Sequence, residues 1–134
     1  MSIITNVFGR EIIDSRGVPT VEVEITLNNS MVELASVPSG ASTGSFEAHE
    51  LRDKDKKRFF SKGVLKSVNF INTEIRETIK GIDVREQKTI DNILIELDGT
   101  KNKSRLGANS MLAVSLATAR AAAKFHNVSL FSYI

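Results

Sequence analysis

The sequence predicts an α+β fold, a three-stranded antiparallel meander followed by a helical layer. Residues 20–27, TVEVEITL, alternate polar and apolar side chains without interruption, and the rest of residues 3–37 reads as strand-like runs broken by turn clusters. From Gly63 onward the apolar spacing becomes helical and stays so. Strands first and helices afterwards place the helices on one face of a small sheet.

Each element has its own reason. Successive strand side chains point to opposite faces, so Val21, Val23, Ile25 and Leu27 face one way and Glu22, Glu24 and Thr26 the other. DSRGVP (14–19), with Gly17 and Pro19, and NNS (28–30) are turn clusters. The flanking runs IITNVFGREII (3–13) and MVELASV (31–37) are therefore predicted as its antiparallel neighbours. Val64, Val68, Ile71, Ile75 and Ile79 then fall at steps of three or four, with Gly81 where a helix C-terminal cap belongs. Asp83 followed by Glu86 reads as a capping box opening a helix with Ile90, Ile93, Leu94 and Leu97 on one face, stopping at Gly99. The run NSMLAVSLATARAAAKF (109–125) is alanine-rich and apolar nearly all round, which predicts the most buried helix.

The bulk composition narrows the function classes. The chain has 134 residues, enough for one domain (1–134) with a real core. No apolar run approaches the ~20 residues of a membrane span, and no basic-then-apolar leader is present. The absence of cysteine excludes disulfides and thiolate metal sites and fits a cytoplasmic protein. A net charge of only +2 is no nucleic-acid footprint.

The segment VPSGASTGSFEAHELRD (37–53) is where chemistry is expected. Ser39 to Ser45 are all small and rich in hydroxyls, more than a connector needs. One reading is a plain connector between sheet and helices. The other is a hinged loop whose serine offers a hydroxyl and its own carbonyl to a hard cation such as Mg²⁺. The two histidines, His49 and His126, lack a second ligand at metal spacing and read as incidental. Asp14 and Arg16 flank a turn and read as a local or interface ion pair. RDKDKKR (52–58) alternates in sign and reads first as a solvated face, with a phosphate-binding patch as the second reading. There is no P-loop and no obvious nucleophile–base pair.

Five blocks carry a resemblance: DSRGVPTVEVE, VPSGASTGSFEAHELRD, KGVLKSVNFIN, ELDGTKNKSRLGANSMLAVSLATARAAA and LFSYI. In order, and spanning residues 3 to 134, they resemble the amino-terminal, capping domain of the enolases, the phosphopyruvate hydratases of glycolysis and gluconeogenesis. That resemblance implies reversible, Mg²⁺-dependent dehydration of 2-phosphoglycerate to phosphoenolpyruvate. It implies that Ser42 chelates the second of two Mg²⁺ ions when its loop closes, with Gly40, Ala41, Thr43 and Gly44 covering the substrate. It also implies that Arg10, Arg16 and Glu22 meet the other subunit of a homodimer.

The same resemblance puts the lysine base, the acid glutamate and the carboxylates of the first Mg²⁺ in a carboxyl-terminal barrel that these 134 residues do not include. The chain alone is therefore expected to be inactive, with no catalytic base or acid of its own. The alternative is a non-catalytic interaction module derived from the cap. Two positions and one stretch depart from the family pattern: Val18 stands for a usual asparagine, Lys54 for a usual glycine, and FFS (59–61) for a more glycine-containing stretch.

Overall fold

The computed structural model describes residues 1–38 and 50–134. The predicted meander is present: β1 (Ile4–Ile13), β2 (Pro19–Leu27) and β3 (Val32–Ser36) form one antiparallel sheet in the order β1-β2-β3. The alternation in β2 decides which face is covered. Val21, Val23 and Ile25 are fully buried, while Glu22, Glu24 and Thr26 lie on the half-exposed face. The β1–β2 turn is held by Asp14, whose carboxylate accepts the N–H groups of Arg16 and Val18 at 2.9 Å each.

The helical layer comprises α1 (Leu65–Phe70), a π-helical turn (Ile71–Ile75), α2 (Arg76–Ile79), α3 (Gln87–Asp98), α4 (Ala108–Phe125) and α5 (Leu130–Tyr133). α4 packs on β2 and β3, and its small residues allow the close approach: Ala113, Val114, Ala117, Ala121 and Ala122 are all fully buried. This is the most buried helix, as its composition predicts. α3 ends at Gly99 (φ +71), also as predicted, with the Gly99 N–H bonded to Ile95 O at 3.0 Å.

The structure corrects the sequence reading at two places. A uniform helical period puts Val68 on the core face of the first helix, but Val68 is only half-buried, and Ser67 beside it is fully buried instead. The π turn widens the helix locally, so residues on either side of it do not share one phase. The capping box is also absent. α3 begins at Gln87 with no side-chain cap, and Asp83 is engaged elsewhere: it accepts the Arg85 N–H at 2.9 Å and the Ser2 hydroxyl at 2.8 Å. Ile3 and Asp83 form an isolated antiparallel bridge, so a contact spanning most of the chain displaces the local motif.

The π turn has a purpose in the packing. The Asn72 side-chain amide accepts the Gly9 N–H at 2.7 Å and donates to Gly9 O at 3.0 Å. Arg76 donates through Nε to Val7 O at 2.7 Å. These bonds satisfy backbone groups on the outer edge of β1. Gly9 permits the approach, because a Cβ there would lie 2.9 Å from Ile71 Cγ2.

Candidate functional site

The loop residues Gly40, Ala41, Ser42, Thr43 and Gly44, together with His49, lie outside the described residues. What is described is the pair of stems on which that segment is mounted. The entry stem follows β3: Val37 is buried, donates its N–H to Val21 O at 3.2 Å, and its carbonyl accepts the Thr20 hydroxyl. The exit stem is held by three side chains. Asn109, in the first turn of α4, accepts the Leu51 N–H and donates to Leu51 O, both at 3.0 Å. The Arg52 guanidinium donates to Pro19 O and Lys62 O, each at 2.6 Å, and pairs with Glu50. The Asp53 carboxylate accepts the Leu65 and Lys66 N–H groups at 2.8 Å each, capping α1.

The two stems thus converge on adjacent residues at the start of β2. Thr20 holds the entry and Pro19 the exit. Pro19 has no N–H of its own, but its carbonyl can still accept from Arg52. Gly107 (φ +92) is required beside the exit stem, since a Cβ there would lie 2.5 Å from the Leu51 side chain. The sequence reads Arg52 and Asp53 as part of a solvated face, which the structure corrects, since both side chains are turned inward by these bonds; Thr20, Gly107 and Asn109 are not singled out by sequence. The one available signal is the Gly-Ala-Asn opening of the alanine-rich run, and its partner Leu51 lies 58 residues away.

The structure brings Arg10 and Glu22 together. They are register partners on the open face of the sheet, with Arg10 Nη1 2.7 Å from Glu22 Oε1 and Nη2 3.4 Å from Glu24 Oε1. The bond to Glu22 pushes the Arg10 guanidinium up from its ordinary value, against the opposing effect of burial. Arg10 also lies over the Phe8 ring at 5.1 Å. Ser36 donates to the second Glu22 oxygen at 2.9 Å. Arg16 stands apart, in the β1–β2 turn, 3.6 Å from Asp14, the local ion pair its spacing predicts. The face combines this charge cluster with Phe8, Val32 and Leu34, each 38% exposed.

His126 follows α4 and stacks on Tyr133 with centroids 5.7 Å apart, a packing role. Among the described residues no three His, Asp or Glu side chains converge to hold a metal ion, and no helix is long and apolar enough to cross a membrane.

Residues 4–134 match the family described as Enolase, N-terminal domain. The three-stranded sheet with its helical layer agrees with that α+β domain. Spanning essentially the whole sequence, the match shows that this chain belongs to the enolase family, as its N-terminal domain.

Proposed function

We propose that residues 1–134 act as the capping domain of an enolase that interconverts 2-phosphoglycerate and phosphoenolpyruvate with two Mg²⁺ ions. In this reading Gly40, Ala41, Ser42, Thr43 and Gly44 cover the substrate, and Ser42 gives its hydroxyl and carbonyl to the second Mg²⁺. Arg10, Arg16 and Glu22 contribute to a homodimer contact. The proton-transferring base and acid come from the family's barrel, so the 134-residue chain alone is inactive. The metals would stabilise the charge that forms when the proton α to the carboxylate is removed.

The observation that carries the proposal is the anchoring of both stems of residues 39–49 on Pro19 and Thr20. A segment that covers a substrate needs fixed ends, so that closing costs little beyond the segment's own ordering. The described part contributes position and exclusion of water rather than proton transfer.

The test mixes the purified chain with a separately made enolase barrel and follows Mg²⁺-dependent phosphoenolpyruvate formation. No turnover by the chain alone, turnover on mixing, and its loss in Ser42→Ala support the proposal. Turnover by the isolated chain that Ser42→Ala abolishes would refute the assignment of base and acid to the barrel. A second reading, a stand-alone interaction module, is favoured by the apolar side chains on the open sheet face. It predicts a stable partner complex and no gain of activity with any barrel.

A further inference from the structure

The backbone of Lys62, Leu65 and Lys66 helps to hold the exit stem, but the side chains from Lys54 to Lys66 have no part in the capping role, and the geometry of the run is unusual. Phe59, Phe60 and Ser61 follow one another with φ of 48°, 51° and 72°, a left-handed turn of three non-glycine residues. Such a turn is costly for L-residues and persists only where its surroundings enforce it. Here they do. Arg58 pairs with Glu11 at 2.6 Å and lies over the Phe59 ring at 5.3 Å. The Ser61 N–H bonds to Arg58 O, and the Lys62 N–H bonds to Phe59 O, each at 3.0 Å.

The result is a braced tip with Phe60 93% and Phe59 41% exposed, and Leu65 nearby in sequence at 47%. The same run carries Lys54, Lys56, Lys57, Lys62 and Lys66, all exposed, with Asp55 as its one acid, while the neighbouring Glu11 and Asp53 are paired with Arg58. None of these lysines forms an ion pair among the described residues.

We propose that this tip docks the domain onto an anionic phospholipid surface, with Phe60 inserted at the headgroup–acyl boundary and the lysines against lipid phosphates. The charges are complementary, and the aromatic tip supplies the apolar anchor that lysines alone lack. A turn that leaves one ring 93% exposed suits insertion into a soft boundary. A nucleic acid would call for a charged groove with stacking faces along it.

The chain has no tryptophan, so Phe60→Trp introduces a single indole at the tip that can be excited apart from Tyr133. The chain would be titrated with phosphatidylcholine vesicles holding about 30% phosphatidylserine, with pure phosphatidylcholine vesicles, and with a single-stranded oligonucleotide. Co-sedimentation of the unmodified chain, and a blue shift of the indole emission in the Phe60→Trp variant, are expected only with the anionic vesicles. Binding should vanish at about 1 M salt, where the Debye length is ~3 Å. Phe60→Asn, which tolerates the left-handed conformation, should weaken binding by about tenfold or more without lowering Tm.

Equal binding to neutral vesicles, no vesicle binding, or vesicle binding unchanged in Phe60→Asn would overturn the proposal. Oligonucleotide binding without vesicle binding would reassign the tip to nucleic acid. Self-association abolished by Phe60→Asn, without vesicle binding, would reassign it to a second copy of the chain. Either reassignment rejects the lipid assignment.

Discussion

Replacing Gly9 by alanine tests how tightly the first helix is locked to β1. In an ordinary strand, Gly→Ala stabilises by about 0.5–1 kcal/mol, because the unfolded chain loses freedom. Here the added Cβ would meet Ile71 Cγ2 at 2.9 Å, Cβ at 3.0 Å and Cδ1 at 3.1 Å. Ile71 is fully buried, so it cannot swing aside into solvent. Overpacking of this kind costs about 1–3 kcal/mol, and shifting the helix would stretch the Asn72 bonds to Gly9, worth about 1 kcal/mol each. The net expectation is destabilisation by about 1–3 kcal/mol. Urea unfolding followed by circular dichroism should show a midpoint lower by about 0.5–1.5 M at an m-value of about 2 kcal/mol/M. Ile71→Ala should cost about 2–5 kcal/mol alone, yet the double variant should be less damaged than the sum by about 1 kcal/mol or more. A Gly9→Ala protein as stable as the parent, or strict additivity with Ile71→Ala, would refute the close-contact account.

The other predictions follow from backbone and charge. Lys54 (φ 62) and Ser61 (φ 72) occupy left-handed positions where glycine costs least, so Lys54→Gly and Ser61→Gly should each stabilise by about 0.5 kcal/mol, raising Tm by about 2 °C apiece; a fall in Tm for both would contradict this. Asp98 is buried, with Oδ1 accepting the Leu106 N–H at 2.7 Å and Oδ2 accepting the Thr100 N–H at 2.9 Å. Asp98→Asn must turn an NH₂ toward one of these donors and should cost about 2–3 kcal/mol, read as a Tm lower by about 7–10 °C. Burial works against the Asp98 charge, but the Thr100, Leu106 and Arg105 bonds outweigh it and hold its pKa below the usual carboxylate value. Arg85, aided by the Ser2 hydroxyl, likewise holds Asp83 well below that range. Folded values below the unfolded ~3.9 mean that this stability is present above about pH 4 and lost as pH falls further. Tm should therefore fall progressively as pH drops below about 4, and keep falling below pH 3 because Asp83 is held so far down; a flat profile would contradict the assignment.

The parts of the fold legible from sequence are those that one-dimensional periodicity governs. β2 betrays its buried face because every second residue from Val21 to Leu27 meets the core, and α4 because alanines leave it apolar all round. The helical stretch 65–79 is legible as a helix but not in phase, since nothing in Ile71–Ile75 announces a π turn that packs against Gly9, which lies 63 residues before Asn72. Asp83 misleads for the same reason, as Ser2 and Ile3 claim it from the far end of the chain. At the candidate site, Ser42 and its neighbours are proposed from family resemblance and lie outside the described residues. The clamp of Asn109 on Leu51 and the reach of Arg52 to Pro19 are contacts between distant segments, so no local pattern contains them.

The side chains that close the outer edge of β1 carry a consequence for the order of synthesis. The sheet emerges from the ribosome before Asn72 and Arg76, which cover Gly9 and Val7. At ~5–20 residues per second, the roughly 60 residues between β1 and Arg76 take about 3–12 s to be made. During that interval Val7 O and both backbone groups of Gly9 are open to pairing with another nascent strand. Substitutions at Asn72 or Arg76 would leave that edge open after synthesis as well, and would appear as lower soluble yield in the cell together with the lost stability of these bonds.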